Sequence, residues 1–309
     1  MAIAFISEWD KGQAWRQAVE QHLGAGDWRD WPALGRLEDI DVALAWAPPP
    51  GLLATLPRLR MIVSLGMGVD HLLRDQALPT GVPIVRINDP QLIDQMVEYA
   101  VLASLRVLRQ ADAYDAMQRQ GQWRRLELRE ARDLRIGIMG LGAIGEKVAQ
   151  AHRALGFAVN GWARRRRQID GVTCFDGKGG LAPFLAQTDV LICLLPLTAE
   201  TRGIVNARTL ALLPRGAHVV NIARGGHVLD ADLLAALDGG HLGGATLDVF
   251  DVEPLPGDHP FWRHPNIRIT PHIAGQTNPR TAAPGVADNI RRLRAGQPLH
   301  DLIDRDAGY

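Results

Sequence analysis

Arg224, Glu253 and His272 are side chains of the kinds that hold anions and move protons, and each closely follows a run that reads as a buried strand. A guanidinium fork can grip a carboxylate through paired, charge-assisted hydrogen bonds. An imidazole can pass a proton near neutral pH, and a carboxylate beside it can orient the ring and keep it protonated. Upstream, Gly140, Gly142 and Gly145 stand at G-x-G-x-x-G spacing. The first glycine permits a tight turn, the second lets backbone approach a pyrophosphate, and the third lets a helix pack closely on its strand. Taken singly, each signal has a plain structural reading. Glycine triplets occur in many loops, lone arginines are usually solvated, a glutamate beside proline is usually a loop residue, and the chain has ten histidines. Taken together at one sheet edge, they are the parts needed to reduce a 2-keto acid beside a bound dinucleotide. His259 and His264 lie in the proline-rich loop before the last strand, whereas His272 directly follows it. His272 is therefore the expected proton donor.

The elements that must position these groups alternate in type. Residues 2–6 read as a strand and 12–23 as a helix, with Trp15, Val19 and Leu23 at helical spacing. Strands follow over 41–45, 59–65 and 82–87. The second of these ends in Gly66-Met-Gly68, and Gly66–Val69 is a candidate ligand loop. Apolar spacing through Met96, Val97, Ala100, Val101, Leu105 and Leu108 predicts one long helix over 92–118. The central β-α-β unit has strands over 135–139 and 158–163, with a helix over 146–155 whose N-terminal amides face the phosphates. Further strands are expected over 189–194, 217–222, 244–249 (Asp248 inside it) and 267–269. Short helices at 207–213 and 231–237 and a final helix at 283–295 complete the pattern. Such alternation predicts parallel sheets with ligands off the carboxyl ends of the strands.

A chain of 309 residues with 47% hydrophobic and 22% charged residues suits a globular protein, and two domains suit its length. The 34 basic and 34 acidic residues leave a formal net charge of +0, so no overall field favours nucleic acid or a membrane surface. Two cysteines, Cys174 and Cys193, are too few for a disulfide framework or a thiolate metal site, and no metal is expected. The longest uncharged stretch, 42–57, contains Pro48, Pro49, Pro50 and Pro57, which argues against a membrane helix. No basic segment leads into an apolar one at the start of the chain, so a cytoplasmic protein is expected.

Four ordered blocks resemble the signature blocks of the D-isomer-specific 2-hydroxyacid dehydrogenase family: Gly140-Leu-Gly-Ala-Ile-Gly145, Asn221-Ile-Ala-Arg-Gly225, Leu247-Asp-Val-Phe-Asp-Val-Glu-Pro-Leu255 and Pro271-His-Ile-Ala274. From Asp94-Gln-Met-Val-Glu-Tyr99 to Asp304-Arg-Asp-Ala-Gly-Tyr309, the chain is most similar to the glyoxylate/hydroxypyruvate reductase A group of that family.

The resemblance implies an α/β fold of two Rossmann-like domains with doubly wound parallel sheets and an active site in the inter-domain cleft. Residues 1–97 plus 276–309 would form a discontinuous substrate (lid) domain, and 98–275 the dinucleotide-binding domain. Catalytic roles fall to Arg224, Glu253 and His272. Trp46, Met67, Gly68 and Arg224 would bind substrate. Gly140, Gly142, Ala143, Ile144, Gly145, Leu195, Pro196, Thr201, Ile222, Ala223 and Asp248 would line the cofactor, Asp248 near the nicotinamide carboxamide. A homodimer acting on a small 2-keto acid is implied, with no nucleic-acid or membrane partner. In one place the chain departs from the family pattern. NAD-using members carry an acidic residue at the end of the second strand, where this chain has Arg164 to Arg167, nineteen residues past Gly145 at its start (164 − 145). Arg164 and Arg165 would instead receive a ribose 2′-phosphate, so NADPH is expected ahead of NADH. Reduction of bulkier 2-keto acids and non-catalytic dinucleotide sensing are the alternative readings.

Overall fold

The computed structural model describes residues 2–305 and 307–308. Residues 1 and 309, the ends of the expected first domain, and residue 306 lie outside the described residues. Two compact units are formed. One is built from the chain up to Leu92 and from Gln276 onward, and the other is Ile93–Gly275.

The first unit carries a five-stranded sheet of β1 (Ala2–Ile6), β2 (Asp27–Asp30), β3 (Ile40–Ala45), β4 (Met61–Ser64) and β5 (Ile84–Arg86), in the order β2-β1-β3-β4-β5. All its pairings are parallel. Residues of β1 alternate between two cores, as strand geometry requires. Ile3 and Phe5 pack with Trp15 and Val19 of α1 (Gly12–Leu23), while Ala4 and Ile6 join Ile62, Leu53 and Leu72, the last from α2 (Asp70–Leu73).

The long helix expected over 92–118 is two helices. α3 (Pro90–Leu108) ends just before Gln110, which takes a left-handed backbone (φ 53°) and caps a separate helix, α4 (Ala111–Arg119). Apolar spacing does not reveal this break, because a left-handed backbone at one polar residue makes it. Arg106 staples the joint, donating to Asp112 at 2.7 Å and Asp115 at 2.9 Å.

The second unit carries a seven-stranded parallel sheet. Its strands are β6 (Arg135–Met139), β7 (Ala158–Ala163), β8 (Thr173–Asp176), β9 (Val190–Cys193), β10 (Ala217–Asn221), β11 (Leu242–Leu247) and β12 (Ile267–Ile269). Their order, β12-β11-β10-β9-β6-β7-β8, reverses direction at β6 and β9, the topological switch point where α/β sheets bind ligands. Four helices connect these strands: α5 (Ala143–Ala154), α6 (Gly177–Leu185), α7 (Ala207–Leu210) and α8 (Asp230–Asp238). Leu191, Val219 and Leu247 of the sheet share a core with Phe184, Leu233 and Leu237 of α6 and α8. The chain then re-enters the first unit through α9 (Pro279–Ala295), whose Ala283, Val286 and Ile290 cover the α1 side of that sheet.

Two boundaries differ from the sequence expectation in ways that matter to the site. α5 starts at Ala143, inside the glycine motif rather than at Glu146, and Asp248 stands just beyond β11 rather than within it. No helix among the described residues is long and apolar enough to cross a membrane.

Candidate active site

The glycine loop is built as its spacing requires. Gly140 has φ +112°, and a Cβ there would lie 2.8 Å from the Leu194 carbonyl oxygen, so only glycine lets the ends of β6 and β9 run side by side. A Cβ on Gly145 would meet the Gly140 carbonyl oxygen at 1.9 Å, which fixes glycine in the first turn of α5. At Gly142 the reason is different. Its backbone (φ −82°, ψ −165°) suits any residue, and nothing lies within 4 Å of a built Cβ. That open space in front of the α5 N-terminus is the cradle a pyrophosphate needs, so the residues present fit a dinucleotide.

The loops after β9, β10 and β7 flank this cradle at the same sheet edge. After β9, Leu195 is buried, and the Thr201 hydroxyl closes the turn by donating to the Pro196 carbonyl (2.7 Å) and accepting from the Thr198 amide (2.8 Å). After β10, Ile222 and Ala223 are buried, and Asn221 Nδ2 donates to the Arg224 carbonyl at 2.8 Å. His227 Nδ1 lies 3.0 Å from the same carbonyl, and Nε2 lies 3.3 Å from the Pro196 carbonyl, tying the β9 and β10 loops together. Gly225 permits the next approach: a Cβ there would fall 1.8 Å from the Phe250 carbonyl carbon. Arg224 is half-buried, and its Nη1 donates to the Ala223 carbonyl at 2.7 Å. After β7, Arg164 and Arg165 are exposed.

Glu253 and His272 are in direct contact. His272 Nδ1 stands 2.7 Å from Glu253 Oε2, and the other carboxylate oxygen accepts the Phe250 amide at 2.8 Å. Burial alone would raise the Glu253 pKa. The hydrogen bond from His272, that from Phe250, and the charges of His272 and Arg224 outweigh it and hold the carboxyl below its ordinary value. The pair thus favours a carboxylate facing an Nδ1–H, which leaves Nε2 to face a substrate. His272 is 32% exposed, enough for a carbonyl oxygen to reach it.

The turn that presents His272 is strained: its φ is +55°, uncommon for a residue with a side chain. Asp248 supplies the compensation. Its backbone carbonyl accepts the His272 amide at 2.8 Å, and its carboxylate accepts the Ile273 amide (2.9 Å), the Ala274 amide (2.8 Å) and the Thr270 hydroxyl (2.6 Å). This positioning role was not legible from sequence, since the donors are backbone groups of an irregular turn.

In the first unit, Trp46 follows β3, and Met67 and Gly68 follow β4. The Trp46 ring fills the space a Cβ on Gly66 would occupy (2.6 Å) and packs on His71 with ring centroids 4.2 Å apart. Ser64 Oγ donates to the Gly68 carbonyl at 3.0 Å and closes the loop.

Residues 101–274 match the model of a family described as D-isomer specific 2-hydroxyacid dehydrogenase, NAD binding domain. The whole chain is 43% identical to glyoxylate/hydroxypyruvate reductase A of Serratia proteamaculans (strain 568), with 100% of both chains covered. Among solved structures it is similar to a D-isomer specific 2-hydroxyacid dehydrogenase from Xanthobacter autotrophicus Py2 in complex with NADPH and MES (TM-score 0.95, 42% identity, 100% of this chain and 99% of that one). It is also similar to the NADPH-dependent glyoxylate/hydroxypyruvate reductase from Sinorhizobium meliloti in complex with NADP and sulfate (TM-score 0.93, 38% identity, 100% and 99% covered).

Proposed function

The chain belongs to the D-isomer specific 2-hydroxyacid dehydrogenase family, and on that premise we propose that it reduces glyoxylate and hydroxypyruvate with NADPH. The observation that carries this reading is the Glu253–His272 pair, held at the sheet edge that also bears Arg224 and the glycine cradle. The second unit is then the dinucleotide domain and the first the substrate domain.

When bound, the nicotinamide supplies the hydride that the keto carbon receives. His272 Nε2 gives its proton to the carbonyl oxygen as negative charge develops there, a role worth roughly 10²–10⁴-fold in rate. Glu253 keeps the imidazolium charged and turned toward the substrate. Arg224 holds the substrate carboxylate through its fork and draws charge from the carbonyl. Met67 and Gly68 are proposed to add backbone amides to the carboxylate, and Trp46 to limit the size of the acid accepted. Ala143 and Ile144 offer helix N-terminal amides to the pyrophosphate, while Leu195, Pro196, Thr201, Ile222 and Ala223 line the cofactor's path. The Asp248 carboxylate is engaged by three donors, so its proposed contact with the carboxamide would use its remaining acceptor capacity.

Arg164 and Arg165 stand where a ribose 2′-hydroxyl would otherwise find a carboxylate, which supports NADPH over NADH. A homodimer is part of this proposal, supported by fully exposed Trp123 and largely exposed Leu128 and Leu102 on the second unit. The complete Arg, Glu and His set argues against a non-catalytic sensor.

A panel of 2-keto acids assayed with both cofactors tests the reading. Glyoxylate and hydroxypyruvate with NADPH should give the highest kcat/KM, and changing Arg164 and Arg165 together to Gln should erase the NADPH preference. Negligible turnover of every acid would favour the sensor, and a preference for bulky acids would move the assignment within the family.

A further inference from the structure

Tyr99 lies far from the catalytic set in sequence, yet its hydroxyl sits 2.5 Å from Thr270 Oγ1. Thr270 has one hydroxyl proton and donates it to Asp248 Oδ1 at 2.6 Å. The proton between Tyr99 and Thr270 must therefore come from Tyr99. The order of donation is fixed: Tyr99 to Thr270 to Asp248. Asp248 in turn accepts the amides of Ile273 and Ala274, which flank the strained His272.

We propose that Tyr99 and Thr270 are positioning residues that keep Asp248 in its ionised, fully accepting form and thereby hold His272 in its left-handed turn. The proposal rests on the reductase reading for its kinetic arm only. An ionised carboxylate accepts strongly at both oxygens, whereas a protonated one uses one position for its own O–H and leaves weaker acceptors for the three donors it now holds, the Thr270 hydroxyl and the Ile273 and Ala274 amides. Asp248 is 1% exposed, and burial pushes its carboxyl above the ordinary range. The Thr270 hydroxyl, the two amides and the charge of His272 oppose that rise. The titratable groups facing Asp248 are His272, from the turn after β12, and Tyr99, from α3. Burial and the nearby Asp248 charge both raise the Tyr99 pKa, so Tyr99 remains a neutral donor across the working range. Removing the Thr270 hydroxyl takes away an influence that lowers the Asp248 pKa, so protonation should begin at higher pH.

The test compares Thr270→Val, Thr270→Ser and Tyr99→Phe with the unmodified protein by amide hydrogen exchange over residues 270–275, at several labelling pH values. In Thr270→Val, the Ile273 and Ala274 amides should exchange about tenfold faster, and protection should fail about one pH unit higher than in the unmodified protein. Thr270→Ser should restore both, and Tyr99→Phe should shift both the same way by less. The acid limb of kcat/KM with glyoxylate should rise in parallel. Unchanged exchange in Thr270→Val would overturn the proposal, as would a Thr270→Ser variant that behaves like the valine. If the valine variant does not fold, Tyr99→Phe decides: it removes one hydroxyl, and unaltered protection there refutes the relay. Exchange does not require turnover. An inactive unmodified protein would thus sink the reductase reading while the relay was still decided.

Discussion

His272 and Glu253 meet at 2.7 Å although nineteen positions separate them, because β11 and β12 are adjacent parallel strands and both loops leave the same sheet edge. Each group changes what the other can do. The imidazole helps hold the Glu253 carboxyl below its ordinary pKa, so Glu253 is ionised across the neutral range and the protonated ring has a fixed partner.

Glu253→Gln preserves the shape of this contact and removes its charge. The ring then loses the ionic partner that holds Nδ1, and its Nε2 is less well oriented for proton transfer to the substrate. At neutral pH kcat for reduction should fall by roughly 10–100-fold, less than the full general-acid contribution because His272 itself is still present. An unchanged kcat would separate Glu253 from the proton transfer.

The glycines of the dinucleotide loop make a paired prediction. Gly142→Ala meets open space in a permitted backbone conformation, so its melting temperature should stay within about a degree while NADPH binding weakens at least about tenfold, because the methyl enters the cradle. Gly145→Ala drives a Cβ into the Gly140 carbonyl and should lower both stability and affinity. Thermal unfolding and cofactor titration on the two variants distinguish a ligand cradle from a merely tight turn. Equal NADPH affinity in Gly142→Ala would place the pyrophosphate elsewhere.

His218 on β10 gives a stability prediction independent of the active site. It is buried, its Nε2 lies 2.9 Å from Thr246 Oγ1, and a Cβ on Gly244 would fall 2.8 Å from its Nδ1. Burial pushes its pKa from 6.5 to about 4. The unfolded chain therefore binds a proton below pH 6.5 that the folded chain refuses until about pH 4. Stability is lost as pH falls through that window. By pH 4.5 this one residue should cost about 2–3 kcal/mol. Urea unfolding at pH 7 and pH 4.5 should show a smaller acid loss for His218→Asn than for the unmodified protein. An equal loss in both would mean that His218 does not control this limb.

The fold was legible in sequence wherever burial left an unbroken apolar run. β1, β3, β6 and β9 are buried along nearly their whole length and stand out as such. β2 was missed because its residues, Asp27-Trp-Arg-Asp30, form a polar edge strand with one buried side chain. The break at Gln110 was missed because backbone conformation, not apolar spacing, makes it. The placement of Arg224, Glu253 and His272 at one edge was readable because the strand ends of one parallel sheet share it. The Asp248 turn and its Tyr99–Thr270 support were not. They join a helix to a loop 171 residues away through hydroxyls that follow no period. The roles of Asn221 and His227 were not legible for a different reason: they act locally, on the Arg224 carbonyl rather than on its side chain.

The central claim is hydride transfer to the keto carbon of a small 2-keto acid, with the D-hydroxy acid as product. The direct measurement supplies hydroxypyruvate and NADPH carrying deuterium at both nicotinamide C4 positions and examines the glycerate formed. The account predicts D-glycerate with a single deuterium at carbon 2, formed more slowly by the His272→Gln variant with the same labelling. Glycerate lacking that deuterium, or of the L configuration, would contradict it.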